Sequence, residues 1–186
     1  MMKLIQVVVM SLSVTVAYAQ TSFRDLSWED LIPEVELETM SRMMQLTRNP
    51  HGIPLDPDRK MSDQIDEAMG IMNDPDYDGL MNSINVRNEL NQQDIRLPGY
   101  VVPVDIGADS SVTAFFLVPY YGACIHVPPP SPNQIVFVIF KEGLKMDELW
   151  KPYYVSGTLF TEMHESDLAT TAYSMTAATV EEYPVQ

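Results

Sequence analysis

The sequence has one cysteine, Cys124, among its 186 residues. A lone cysteine cannot form an internal disulfide, and it cannot build the C-x-x-C motif of thiol redox proteins. In an oxidising compartment, Cys124 is therefore a buried inert thiol, a metal ligand, a reactive thiol or one half of an intermolecular disulfide. The sequence leaves these four roles open.

Basic residues are also scarce. The chain has 11 Lys and Arg against 26 Asp and Glu, which gives a formal net charge of −15 at pH 7. Nucleic acids and anionic membrane surfaces are bound through positive patches. The acidic composition therefore argues against both as partners, whereas cations or a basic protein are compatible with it.

Beyond the N-terminus, no apolar run approaches the ~20 residues that span a bilayer, so we expect a protein that is not inserted in a membrane. Residues 1–19 differ from the rest. A single positive charge is followed there by an apolar run and by an A-x-A site at Ala17 to Ala19. This pattern is typical of a cleavable secretory signal peptide. We expect export to the periplasm and a mature chain that begins at Gln20.

Residues 20–89 are predicted to form an N-terminal extension with short helices and a linker. A capping-box pattern at Ser27 to Asp30 favours a helical turn, which Pro33 limits. A stretch from Thr47 to Arg59 is rich in proline and predicts a linker without regular structure. Two helical patterns follow. The first begins at Met61, and the second covers Tyr77 to Val86, with Leu80, Met81 and Ile84 on one face.

Residues 90–186 are predicted to form a mainly β domain. A bend at Pro98-Gly99 and a glycine at Gly157 suit strongly coiled strands. We predict a small five-stranded OB-like barrel. A β-sandwich is the alternative, because strand number does not decide whether a sheet closes. The predicted strands cover Ile95 to Val104, Val112 to Val118, Gln134 to Phe140, Tyr153 to Leu159 and Tyr173 to Val180.

The stretch Gly122 to Gln134, called the motif loop below, joins the cysteine to a nearby histidine and a proline run. Three consecutive prolines fix the backbone and remove three donors, which predicts an exposed, extended loop. On an extended chain, residues two positions apart point to the same side. The side chains of Cys124 and His126 can therefore converge on one atom.

Three stretches together resemble a known family: Leu97 to Pro103, Phe116 to Tyr120, and the motif loop. They are similar to an uncharacterised exported bacterial family, domain of unknown function 3299, marked by a GACIHxPPPxPNQ motif. Ser131 and Gln92-Gln93 depart from the family pattern without affecting the Cys/His pair. The resemblance implies an OB-like barrel in the periplasm. Relatives are often encoded beside ABC-type permease and ATPase genes, some of them zinc-responsive, which implies an ABC-type permease or another envelope protein as partner.

The first functional hypothesis is a non-enzymatic accessory protein of an ABC-type transport system that binds zinc or another soft transition metal. Thiolate and imidazole are good ligands for zinc and for copper, and Cys124 and His126 supply one of each. Zinc usually takes four ligands, so others must complete the shell. His164 is a weak candidate, and the further choices are His51, Glu162, Glu165 or a second chain.

Two alternatives use the same stretch differently. In one, the loop is a metal-independent adaptor surface that docks a partner protein, because prolines preform a surface and tyrosines offer aromatic contact. In the other, Cys124 is the nucleophile of a thiol-dependent enzyme and His126 activates it. No third orienting group is identifiable, so catalysis ranks last. The adaptor residues are Tyr120, Tyr121, Pro128, Pro129, Pro130, Pro132, Asn133 and Gln134.

Overall fold

The computed structural model describes residues 22–47, 60, 62–63, 66, 69–70, 75–107, 110–123, 130–145 and 151–184. The predicted signal peptide and most of the predicted linker lie outside these residues. So do four residues of the motif loop that the sequence singles out: Cys124, His126, Pro128 and Pro129.

More of the described residues are in β-strands than in helices, and no helix among them is long and apolar enough to cross a bilayer. The strands are β1 Arg24–Asp25, β2 Gln93–Ile106, β3 Ser111–Val118, β4 Val136–Lys145, β5 Pro152–Phe160, β6 His164–Glu165, β7 Thr170–Thr171 and β8 Tyr173–Glu182. The helices are α1 Glu34–Thr47 and α2 Pro75–Met81, and 3-10 turns cover Trp28–Leu31, Asn88–Leu90 and Pro132–Gln134.

Five strands close into a barrel in the order β2, β3, β4, β8 and β5, and β5 pairs back onto β2. The pair β4 and β8 is parallel, and the other barrel pairs are antiparallel. The predicted mainly β, five-stranded OB-like barrel is therefore confirmed, and closure excludes the sandwich. The short strand β1 lies parallel to β2 at Ile95 and Arg96.

The long strand β2 bends, and it pairs with a different strand on each side of the bend. Its first half pairs with β5 and its second half with β3, and the two halves meet at Tyr100. A Cβ atom on Gly99 would lie 2.8 Å from the carbonyl oxygen of Val118 and 2.9 Å from Cγ of Leu117. Glycine at this position therefore lets β3 approach the bend closely.

The core of the barrel contains alternate residues of every barrel strand, as expected when one face of each strand points inward. The N-terminal part of the chain completes this core. Leu26, Leu31 and Leu90 are at most 5% exposed and pack with the strand residues, and Trp28 packs against them. The strand residues of the core include Ile95, Leu97, Val101, Phe115, Leu117, Val136, Val138, Val155, Leu159, Tyr173 and Met175.

The N-terminal helices differ from the prediction. The 3-10 turn ends before Pro33 as expected, but helix α1, which the sequence pattern does not predict, then begins at Glu34. A proline is tolerated here because the first helical positions need no N–H donor, and its carbonyl oxygen accepts from the amides of Glu36 and Leu37. Proline, which breaks a helix when it lies in the interior, here marks the start of one.

The described residues of the helix predicted from Met61 are helical, namely Ser62, Asp63, Asp66, Met69 and Gly70. The second predicted helix, Tyr77 to Val86, starts and ends too late in the sequence. Helix α2 ends at Met81, and the side-chain amide of Asn82 donates to the carbonyl and carboxylate oxygens of Asp78. These local bonds compete with continued helix formation. Ile84 therefore lies beyond the helix and is 55% exposed, and it does not share a helical face with Leu80.

Candidate binding site at the motif loop

The first end of the motif loop is fixed by a second apolar cluster outside the barrel core. Gly122 has a φ of +79°, a left-handed conformation that favours glycine and turns the chain after Tyr121. Ala123 is then 1% exposed and packs with Phe116 and Val118 of β3. The candidate ligand Cys124 follows directly in sequence, outside the described residues.

The second end is fixed by Asn133, which is 2% exposed. Its side-chain nitrogen donates to Oε2 of Glu36 at 2.9 Å, to Oγ of Ser83 at 3.2 Å and to the carbonyl oxygen of Asn85 at 3.1 Å. Its side-chain oxygen accepts from Oγ of Ser131 at 2.7 Å. A buried amide with this many partners holds one side-chain position.

Glu36 is the acceptor that joins this network to helix α1. Its Oε1 atom accepts from Oγ of Ser83 at 2.7 Å and from Nδ2 of Asn85 at 2.6 Å. Oε1 of Glu36 thus bonds the segment that contains Ser83 and Asn85, and Oε2 bonds Asn133 of the motif loop. Hydrogen bonds to an ionised carboxylate are roughly twice as strong as neutral ones, so Glu36 fixes α1 to the motif loop.

Gln134 ties the same end of the loop to the N-terminal 3-10 turn. Its Nε2 atom donates to the carbonyl oxygen of Trp28 at 3.0 Å. The indole nitrogen of Trp28 in turn donates to the carbonyl oxygen of Pro98 at 2.7 Å, at the bend of β2. The amide of Ala172 donates to the carbonyl oxygen of Pro132 at 2.8 Å. Asn133 and Gln134 are therefore engaged within their own chain.

Tyr173, buried in the barrel core, bonds the N-terminal 3-10 turn through its hydroxyl. Its hydroxyl donates to the carbonyl oxygen of Leu31 at 2.8 Å and accepts from the amide of Arg87 at 2.7 Å. Burial raises the pKa of Tyr173 to about 12. In the same turn, the backbone amide and hydroxyl of Ser27 donate to Asp30, which lowers the pKa of that carboxyl.

An aromatic group, called the outer aromatic surface below, covers the outward side of β2, β3 and β4. The rings of Tyr100 and Tyr121 lie 6.0 Å apart and are tilted by 59°. The rings of Phe116 and Phe137 lie 5.9 Å apart, and the His164 ring stacks on Phe137 at 3.7 Å and 4°. Tyr121 is 63% exposed. Phe116 is itself only 2% exposed, and the surface is defined by these five residues together.

The structure thus brings His164 to the cluster that also buries Ala123, because Phe137 packs against that cluster. Strand β6 carries His164 and pairs with β7 at Thr171. Glu162 and Glu165 are exposed beside it. Within the described residues, no group of three or more His, Cys, Asp or Glu side chains is arranged to hold a metal ion. His51 lies outside the described residues.

The family "Protein of unknown function (DUF3299)" matches residues 28–182. The chain belongs to this family. A crystal structure of a DUF3299 family protein from Pseudomonas aeruginosa PAO1 is similar, with 35% sequence identity and a TM-score of 0.62. The similarity covers 89% of this chain and 99% of that chain. No curated protein is significantly similar to the chain.

The DUF3299 match places the network around the motif loop inside one family region. It begins at Trp28, which accepts the bond from Gln134, and it includes Glu36 and Asn133. The N-terminal turn and the barrel therefore belong to one family unit. That the GACIHxPPPxPNQ motif marks DUF3299 proteins stays a prediction. Sequence reasoning missed Glu36 and Ser83, because nothing in their local sequence connects them to a loop far along the chain.

Proposed function

We propose that this DUF3299 protein is an exported, non-enzymatic accessory protein of an ABC-type transport system that binds zinc or another soft transition metal. Cys124 and His126 are the proposed ligands. One observation carries the proposal furthest: both ends of the stretch that contains them are fixed, one by barrel strand β3 and the other by the N-terminal part of the chain. Ala123 is buried immediately before Cys124, and Asn133 is held by bonds to Glu36 and Ser83.

The position of His164 supports a third ligand. Its ring stacks on Phe137, and Phe137 packs against the cluster that contains Ala123. A thiolate and two imidazoles form a donor set that suits zinc. The acidic net charge of −15 also favours cations over anions. The predicted signal peptide would place this site in the periplasm, where such a protein can meet the outer face of a permease.

Metal binding is tested by native mass spectrometry of the reduced mature protein, starting at Gln20, titrated with zinc and with copper(I). We expect one tightly bound metal per chain, lost in Cys124→Ser and weakened in His126→Gln and His164→Gln. Glu38→Gln, at an exposed position of helix α1, is the control and should bind as the wild type does. No tight binding by the wild type, or equal binding by Cys124→Ser, would contradict the proposal.

A second candidate function is a metal-independent protein-binding adaptor. The exposure of Tyr121 beside half-buried Tyr100 favours it, because tyrosine in this setting is common at interfaces. Cross-linking to the purified ABC-type permease that is the proposed partner separates the two candidates. The adaptor hypothesis expects Cys124→Ser to capture the permease as the wild type does. Loss of capture in Cys124→Ser would support the metal-dependent function.

A further inference from the structure

We infer that the outer aromatic surface is a docking surface for a cationic polypeptide segment that carries apolar anchor residues. The inference rests on the proposed protein-binding function, and it names the surface and the chemistry of the partner. It needs neither a metal nor the residues between Ala123 and Pro130. Two independent properties of the described residues support it: exposed apolar side chains and the charges around them.

The apolar side chains of this surface are not needed to fill the barrel. The interior has its own core, and the residues of the outer cluster lie on the opposite side of β2, β3 and β4. Ile139 follows Phe137 by two residues on the outward side of β4 and is 44% exposed, and Met163 and Leu168, next to or within the β6–β7 hairpin that carries His164, are 56% and 70% exposed. Apolar side chains that gather at one place on a surface mark interaction sites more often than scattered ones do.

The charges around the surface are mainly negative. The hairpin of β6 and β7 that carries His164 also exposes Glu162, Glu165 and Asp167. Asp105 is exposed at the far end of β2, and Lys141 is a cation on the outward side of β4. The acidic side of the surface is therefore the β6–β7 hairpin. Together with the net charge of −15, it would repel anionic ligands and attract a cationic segment.

The aromatic geometry suits a polypeptide partner. Tyrosine rings supply a large contact area with few rotatable bonds, so that little side-chain entropy is lost on binding. The tilted arrangement of Tyr100 and Tyr121 leaves most of the Tyr121 side chain exposed. Lys or Arg of a partner can pack over this ring, and its aliphatic or aromatic residues can contact Ile139 and Leu168.

The test uses two short synthetic peptides with the same Leu and Phe positions. One carries Lys at every charged position and the other carries Glu. Binding to the mature protein is followed by amide chemical shifts in NMR spectra. We expect the Lys peptide to bind, to shift amides of β3, β4 and the β6–β7 hairpin, and to weaken with salt. Tyr121→Ser and Leu168→Ser should each weaken binding by about fivefold or more.

Val35→Ser is the matched control, because Val35 is 75% exposed on α1, outside the proposed surface. Its peptide affinity should stay within error of the wild type. Equal binding of the Glu peptide, shifts confined to other parts of the chain, or an equal loss in Val35→Ser would overturn the inference. A neutral oligosaccharide that binds these strands more tightly than the Lys peptide would also overturn it.

Cys124→Ser keeps this inference separate from the proposed metal site. The variant should bind the Lys peptide as the wild type does, since the docking surface excludes Cys124. If the wild type binds zinc but not the peptide, the docking surface is wrong and the metal site stands. If it binds the peptide but not zinc, the metal site is wrong and the docking surface stands.

Discussion

At the scale of single residues, Asn133 joins parts of the chain that are far apart in sequence. Its side chain bonds Glu36, Ser83 and Asn85 through its nitrogen and Ser131 through its oxygen. Polar side chains where a loop returns to a strand are expected to bond local backbone. Gln134 does bond the carbonyl oxygen of Asn133 at 3.0 Å, but most partners are distant. Local sequence cannot reveal them, because tertiary packing decides which distant polar groups meet.

Replacing Asn133 by Ala should lower the free energy of unfolding by about 2–4 kcal/mol, because it removes the buried donor to Oε2 of Glu36, Oγ of Ser83 and the carbonyl oxygen of Asn85. Urea denaturation of the mature protein measures the effect. Asn82→Ala is the matched control. Asn82 makes its bonds to Asp78 at an exposed helix end, so its loss should cost about 0.5 kcal/mol. Equal losses in both variants would contradict the proposed anchoring role.

Tyr173 gives the molecule a defined response to alkaline pH. The pKa of this phenol is about 12 in the folded protein against 10.0 for an ordinary tyrosine. A raised pKa contributes stability that is fully present below pH 10 and lost as pH rises towards 12. Tyr173→Phe should therefore be less stable by about 1–3 kcal/mol near neutral pH, since Leu31 and Arg87 lose a bonding partner.

Urea denaturation of both proteins between pH 7 and pH 12 follows this difference. We expect the gap in unfolding free energy between wild type and Tyr173→Phe to shrink above pH 10. Comparing the two proteins cancels the ionisation of the other tyrosines. A gap that stays constant or widens across this interval would show that the buried hydroxyl does not have the raised pKa.

At the scale of elements, the barrel strands are predicted well, whereas helix α1 is missed and the end of α2 is misplaced. All five barrel strands follow apolar runs that turn signals separate, and the bend at Pro98-Gly99 is correctly placed. The helix predictions are wrong where a proline or a polar side chain can either end a helix or belong to one. Pro33 stops one element and precedes the next, and Asn82 ends a helix through its own hydrogen bonds. Local sequence alone does not decide where α1 begins or where α2 ends.

Gly157 marks a place where β5 and β8 approach too closely for a side chain. The register shifts between Ser156 and Gly157, and a Cβ atom would lie 2.7 Å from Cα of Ala177 and closer still to the carbonyl oxygen of Thr176. Gly157→Ala should therefore lower the free energy of unfolding by about 2–4 kcal/mol, because strand backbone must move.

The matched control for this prediction is Gly79→Ala in helix α2. Nothing lies within 4 Å of its added Cβ, and alanine is the better helix former by about 0.5–1 kcal/mol. We expect a small gain in stability, measured by the same urea denaturation. A tolerated Gly157→Ala would show that the two strands are more widely spaced than the structure indicates.

At the scale of the whole molecule, the N-terminal part and the barrel form a shared core. Leu26 and Leu31 are buried among strand residues, and β1 extends the sheet at β2. The family match over residues 28–182 covers both parts. The pattern of apolar runs predicts a mainly β domain and the composition predicts an acidic protein, but neither shows that Glu36 reaches the motif loop. That contact depends on how helix α1 packs against the rest of the chain.

The acidic charge has a consequence for the proposed site. A net charge of −15 raises the local concentration of cations around the protein, which favours metal capture. It gives no selectivity between metals. Selectivity must come from a soft ligand, and Cys124 is the only thiol in the sequence. The central claim of the proposed function is therefore that a bound metal contacts the sulfur of Cys124.

X-ray absorption spectroscopy of the zinc-loaded mature protein tests this claim most directly, because sulfur and nitrogen ligands differ in distance. We expect one Zn–S contact at about 2.3 Å together with imidazole nitrogens at about 2.0–2.1 Å. The sulfur contact should be missing in any zinc that Cys124→Ser retains. A spectrum of the wild type with only nitrogen and oxygen neighbours would contradict the proposal that Cys124 binds the metal.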